Sequence, residues 1–347
     1  MTPADPPLRL ILDSAALVAN WRWLDAASVG AACGAAVKAD GYGLGAPAVV
    51  ARLAAAGCRD FFVSSWAEAA ALGDWPADLA LSVLHGLRAE DVAFALDHPA
   101  RPVLNSAEQV ARWKAAGGGA CDVMVDTGMN RLGLTPAEAT SGLLDGLAID
   151  TLMSHFACAD EPDSALNGRQ RDSFLAVAAA IPARRLSLAN SAGICLGSDC
   201  ALGLTRPGLA LYGGIPHPAA AGHIRPVVRP EAQVVQRRVG RAGESVGYGA
   251  THVLAEDTAI GILNVGYADG YLRAFSGRGR VFAGDRALPV LGRVSMDLIA
   301  VGLGDATVGE GDWLALDLDL PRASAQSGLS QYELLTALGH RYQRSWT

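Results

Sequence analysis

Positive charge is scarce in this sequence: 28 Lys and Arg stand against 35 Asp and Glu, for a net charge of −7, and no block of five basic residues occurs. The electrostatic footprint of a nucleic-acid binder is therefore missing, and a small-molecule protein is expected. Long apolar runs are missing as well. The stretch MTPADPPLRL has no basic segment followed by an apolar one, and the Ala-rich Leu175–Ile181 falls well short of the ~18 residues that span a bilayer. A soluble, cytoplasmic protein with no membrane partner is expected. No C-x-x-C pair joins the six cysteines, Cys33, Cys58, Cys121, Cys158, Cys195 and Cys200, so reduced and partly buried thiols are expected. The seven histidines (85, 98, 155, 217, 223, 252, 340) lack ligand spacing, which argues against a metal site and a metal-dependent hydrolase. Proline, at 17, is ordinary and no Gly-X-Y period exists, so a collagen-like chain is excluded.

What is present is length, apolarity and glycine. At ~150 residues per domain, the 347 residues, 51% of them hydrophobic, suggest two domains with large cores. Glycine, at 40 residues, exceeds the usual ~7% and calls for tight turns or close backbone approach to something.

Up to about Pro226, short apolar runs alternate with Ala/Leu-rich amphipathic stretches. After a leading helix from Ser14 through Leu24, eight strands are predicted at Ala32–Lys38, Asp60–Ser64, Leu79–Leu84, Arg101–Leu104, Cys121–Val125, Ile149–Ser154, Arg185–Ala189 and Leu204–Leu211. Asn105-Ser106 and Thr135-Pro136 supply helix starts. Eight β-then-α units predict a (β/α)8 TIM-like barrel over residues 10–225. A doubly wound sheet is disfavoured because no G-x-G-x-x-G follows the first strand. Polar residues also end nearly every strand (Lys38, Ser65, His85, Asn105, Arg131, His155, Asn190, Arg206), and a barrel gathers these at one mouth. Beyond Pro226, β-branched and Gly-punctuated segments predict a mainly β C-terminal domain over residues 226–347, with a short helix at Gln331–Leu338 and a last strand at Gly339–Trp346.

The first strand runs into Lys38 and then through Gly41, Gly43 and Gly45. A lysine entered from an apolar run is partly desolvated, which lowers its proton affinity and suits a Schiff base or general-base work. On position alone, a snorkelling or salt-bridged lysine has equal weight.

The segment VKADGYGLG around Lys38 resembles the cofactor-lysine motif of the alanine racemase family. VDTGMNRLG (125–133), SHFACADE (154–161), NSAG (190–193), TRPGLALYGG (205–214), VGYGATH (246–252), VGYADGY (265–271) and GRVSMDL (292–298) follow in that family's order. The resemblance implies a (β/α)8 barrel with a C-terminal β domain, pyridoxal 5'-phosphate as cofactor, and a head-to-tail homodimer with shared sites. It implies that Lys38 holds the cofactor covalently and is one base, with Tyr248, supplied by the partner subunit, as the other. Racemisation needs a proton removed from one face of Cα and returned to the other, so two groups must flank the cofactor. A tyrosine, ordinarily near pKa 10, then needs a cationic neighbour.

By the same resemblance Arg206 faces the cofactor's ring nitrogen, and an arginine there makes the ring a weaker electron sink than an acid would. His155 stacks beside the ring and bonds to Arg206. Tyr42, Asn190, Ser191, Gly208 and Leu209 form the phosphate site, and Arg131, Tyr267, Met296 and Asp297 bind substrate. Asp160, Arg273 and Arg293 resemble residues along the substrate's way in, and could equally be ordinary surface charges. Two departures stand out. Met124 occupies the position of a lysine that many members carry as a carbamate, so Arg131 must be oriented otherwise, by a chloride or by Asn130. Trp346 stands where a tyrosine is usual, with Tyr342 as a possible substitute. The function implied is racemisation of L- and D-alanine. A racemase of another small amino acid such as serine, or a barrel-type amino-acid decarboxylase, is the alternative.

Overall fold

The computed structural model describes residues 5–347, which form two compact units: Leu17–Arg225, and the chain before it together with Pro226–Thr347. In the first unit, seven parallel strands lie side by side in chain order: Ala35–Ala36, Asp60–Val63, Ala80–Val83, Arg101–Leu104, Cys121–Met124, Ile149–Met153 and Arg185–Ser187. The eighth, Leu204–Thr205, pairs with Ala32–Cys33, the outer half of the first strand. It is held on its other side by Gly203 N–H to Leu186 O at 3.0 Å and Arg206 N–H to Ala189 O at 2.8 Å, so the ring closes. All eight predicted strands are present, although the first breaks at Gly34 and stops before Lys38, and the last is short. A Cβ on Gly34 would stand 2.8 Å from Asp60 O, so the close strand approach there requires glycine.

Helices fill the crossovers, at Ala46–Ala56, Trp66–Ala71, Ala107–Ala115 and Ala165–Ala178. Ser106 caps Ala107–Ala115 through the Gln109 amide, and Thr135 and Glu138 close a capping box on the short helix Pro136–Ala139. At the N-terminal ends of the strands sits a buried ion-pair layer. Asp60 binds Arg185 at 2.6 Å, Asp150 binds Arg184 at 2.6 Å and Arg185 at 3.0 Å, and Arg101 reaches Asp122 at 3.4 Å and Asp150 at 3.2 Å. Ser82 Oγ donates to Asp122 at 2.6 Å. Charges at this end of a barrel serve stability rather than chemistry.

In the second unit, Val228–Gly240, Thr258–Leu263, Ile299–Gly302, Arg286–Leu291, Arg280–Ala283 and Trp313–Leu316 pair in that order, and the last returns to Val228–Gly240. The long strand Val228–Gly240 serves both ends of this antiparallel ring through a bulge between Val234 and Gln236. The strand Leu8–Leu12 pairs antiparallel with Val228–Ala232 and parallel with Gln343–Trp346. The sequence reading began the barrel at residue 10, whereas residues up to Ala16 group with the C-terminal unit. The reason is this pairing with strands more than 200 residues away. The helix Leu320–Ser327, absent from the sequence reading, is capped by Asp319. No helix among the described residues is long and apolar enough to cross a membrane, and all six cysteines are free.

Candidate active site

Lys38 leaves the first barrel strand into an uncommon backbone. Ala39, Asp40, Gly41, Tyr42 and Gly43 all have positive φ (52°, 52°, 62°, 57° and 85°), which makes a left-handed turn. Such backbone costs about 1–2 kcal/mol for each non-glycine residue, and here four amides fasten it. Gly41 N–H donates to Val37 O at 2.8 Å, Gly43 N–H to Ala39 O at 2.9 Å and Gly45 N–H to Asp40 O at 2.9 Å. Ala39 N–H donates to Glu68 Oε1 at 2.9 Å. Asp40 Oδ1 then accepts the Ala46 amide that opens the next helix. The proton affinity of Lys38 is lowered, first by burial and then by the charges of Arg131 and Arg206, while Glu68 opposes them.

The turn places Tyr42 inside, stacked on Tyr212 with ring centroids 4.5 Å apart, while Tyr212 donates to Ala36 O at 2.8 Å. The Tyr42 hydroxyl lies against Gly208, where a Cβ would stand 2.2 Å from it. Ser191 is buried, and its Oγ accepts the amides of Gly208 at 2.9 Å and Ala210 at 3.3 Å. Asn190 caps the turn that follows by accepting the Gly193 amide at 2.8 Å. Leu209 starts the 3-10 turn Leu209–Tyr212. A ring of small residues, hydroxyls and amides with one close-packed glycine suits an oxyanion such as a phosphate.

Arg206 is buried without a carboxylate hydrogen-bonded to it. Its guanidinium donates to Ser154 O at 2.6 Å and to Ser187 Oγ, and burial pushes its pKa down to about 10, opposed by Asp122. The expected hydrogen bond between His155 and Arg206 is not formed; the guanidinium donates to the backbone carbonyl and the serine instead. Burial first, then the charges of Arg206, Arg131 and Lys38, push His155 down to about 3, so the imidazole is neutral.

Arg131 is exposed and its backbone is pinned by Asp126, whose Oδ2 accepts the Arg131 amide at 2.8 Å while Oδ1 accepts those of Gly128 and Met129, each at 2.8 Å. Asn130 takes a positive φ of 54° inside this loop. Gly133 is obligatory there, since a Cβ would lie 2.5 Å from Asp126 N. Met124 is buried at the strand end below. Asp126 and Glu68, neither singled out from sequence, thus hold the amide of Arg131 and the amide next to Lys38.

In the other unit, Tyr248 sits at the tip of a hairpin between Ser245–Val246 and His252–Val253 and is 72% exposed. Gly247, Gly249 and Ala250 around it have positive φ. The Arg293 guanidinium packs on Gly249, 3.2 Å from where its Cβ would be. Tyr248, Arg293, Arg238, Glu244 and Ser295 line a cavity of about 470 Å³. Tyr267 and Met296 are interlocked: Tyr267 N–H donates to Ser295 O at 3.0 Å, Ala268 N–H to Met296 O at 3.1 Å, and Gly266 has no room for a side chain. The Asp297 carboxylate is engaged by Arg341 at 2.7 Å, and Arg341 also binds the buried Asp269. Asp160, Arg273 and Arg293 are exposed. Trp346 lies in the edge strand beside Leu12, and Tyr342 is buried in the same unit.

Family models described as alanine racemase, N-terminal domain, and alanine racemase, C-terminal domain, match residues 12–216 and 227–346. The alanine racemase of Acidiphilium cryptum is 41% identical over 348 residues, covering 96% of this chain and 97% of that one. A crystal structure of alanine racemase from Bartonella henselae with covalently bound pyridoxal phosphate superimposes with a TM-score of 0.92 at 34% identity, covering 99% and 100% of the two chains. The biosynthetic alanine racemase of Pseudomonas aeruginosa gives a TM-score of 0.90 at 33% identity, with the same coverage. The chain belongs to the alanine racemase family.

Proposed function

We propose that this chain is an isomerase that interconverts L-alanine and D-alanine with pyridoxal 5'-phosphate, using Lys38 and Tyr248 as its two bases. The observation that carries the reading is the half-buried Lys38 of lowered proton affinity, grouped with a carboxylate-free Arg206 and the Ser191–Gly208–Tyr42 cradle. Those residues fit the cofactor: Lys38 would hold it covalently, Tyr42, Ser191, Gly208 and Leu209 its phosphate, and Arg206 and His155 its ring, with Asn190 shaping the loop. When bound, the cofactor supplies a conjugated ring that spreads the negative charge left on Cα.

The chain's own groups move the proton. Lys38 takes or returns it on one face, where burial and the charges of Arg131 and Arg206 lower its proton affinity. Tyr248 does the same on the other face. Arg131 pairs with the substrate carboxylate, and the Met296 amide, Tyr267 and Asp297 are the remaining substrate-binding groups. Arg206 stays protonated at neutral pH and disfavours a proton on the ring nitrogen.

The exposed Tyr248 and its cavity favour a head-to-tail homodimer in which each subunit's tyrosine serves the other's lysine. Six free thiols suit a reducing cytoplasm. A racemisation assay over the common L-amino acids tests the reading. Alanine should be turned over fastest, and preference for serine or release of carbon dioxide would replace it with a serine racemase or a decarboxylase.

A further inference from the structure

Glu68 departs from the local rule for a glutamate at the third position of a helix. In the capping boxes of Thr135 with Glu138 and Ser330 with Glu333, the carboxylate returns to the amide of its own cap residue. Ser65 caps Trp66–Ala71 by accepting the Glu68 amide, yet the Glu68 carboxylate reaches one residue further, to Ser64 N–H at 2.6 Å, and across to Ala39 N–H at 2.9 Å. These two amides belong to successive strand-to-helix connections of the barrel. The amides of Gly41, Gly43 and Gly45 are held by carbonyls of the same segment, whereas the first, next to Lys38, is held by Glu68.

We infer that Glu68 is a positioning residue for Lys38, clamping the first amide of the turn that carries the lysine to the end of the neighbouring strand. The inference rests on the reading of Lys38 as the cofactor-bearing base. Glu68 also sets the charge balance there. The charged and titratable groups around Lys38 are Arg131 and Arg206, both cationic, the neutral His155, and Glu68, the anion that favours a positive charge on the lysine nitrogen. Removing that anion shifts protonation of the nitrogen to lower pH.

The test uses the cofactor-loaded enzyme and compares Glu68→Gln, Glu68→Asp and Ser65→Ala by pH titration of the visible cofactor band and by steady-state kinetics. Glutamine accepts through one oxygen only and carries no charge. It should lower the titration midpoint by about one pH unit and kcat by roughly 10- to 100-fold, with KM changed less than about threefold. Aspartate keeps the charge but not the reach, so the midpoint should stay while kcat falls. Ser65→Ala removes the helix cap alone and should leave both unchanged. Wild-type midpoint and kcat in folded Glu68→Gln overturn the proposal, as does Ser65→Ala reproducing its effects. If Glu68→Gln does not fold, an unchanged kcat in Glu68→Asp overturns it. A visible band that survives Lys38→Ala rejects the underlying reading instead.

Discussion

The hydroxyl of Tyr42 fills the space beside Gly208 so closely that a Cβ there would stand 2.2 Å away. Gly208→Ala therefore displaces the hydroxyl or the loop, and overpacking of this kind costs about 1–3 kcal/mol. Cofactor affinity should fall about tenfold or more, measured by titrating the apoenzyme with pyridoxal phosphate. Unaltered affinity would show that the cradle lies elsewhere.

The two bases separate by their effect on the cofactor. Lys38→Ala should lose the visible band and all turnover. Tyr248→Phe should keep the band and lose exchange of the Cα proton from L-alanine by at least about a hundredfold. Mixed after subunit exchange, the two inactive variants should regain activity if the sites are shared. Failure to complement in a proven heterodimer would point to a self-contained site.

Asp126 holds the Arg131 backbone through a charged acceptor, and such hydrogen bonds contribute about 1.5–3 kcal/mol each. Asp126→Ala should raise KM for alanine by about tenfold or more in both directions with the cofactor band unchanged. If KM is unaffected but responds to chloride, an ion rather than this loop orients Arg131.

The buried ion-pair layer gives the barrel an acid-sensitive component. Burial alone would raise the Asp150 carboxyl, but the hydrogen bond from Arg184 and the charges of Arg101 and Arg185 hold it far below the usual range. A carboxylate lowered in the folded state stabilises it above its unfolded pKa, about 3.9, and that stabilisation fades as pH falls toward the folded value. Asp122 has the opposite sign, because burial raises it, so the whole cluster does not isolate the effect. Asp150→Asn does: its stability difference from wild type should be largest near neutral pH and shrink below about pH 4, read by denaturant unfolding across pH. A difference constant with pH would show that the pairs contribute nothing through charge.

The alternation of apolar strands with amphipathic helices made the barrel legible, because each parallel strand needs a crossover and each crossover leaves a periodic helix. The polar residues at strand ends were legible for the same reason. The backbone at Lys38 was not: Gly41 and Gly43 announce positive φ, but Ala39 and Tyr42 are types that avoid it. Glu68 reads locally as a capping residue, and only the folded strand order brings Ala39 to it. The ion-pair layer was equally hidden, since an Asp or Arg at a strand start looks like ordinary surface charge until the ring closes. Leu8–Leu12 alternates as a half-covered strand, yet nothing in its own residues says which sheet it joins.

That strand sets an order on biogenesis. Leu8–Leu12 emerges early, but its neighbours are Val228–Ala232 and Gln343–Trp346, so it waits through synthesis of the whole barrel unit before it can pair. The barrel draws on one continuous stretch, whereas the β unit needs Leu8–Leu12 together with strands more than 200 residues later in the chain. A nascent chain stalled just short of Gln343 would leave Leu8–Leu12, in place of Gln343–Trp346, as the edge of the sheet.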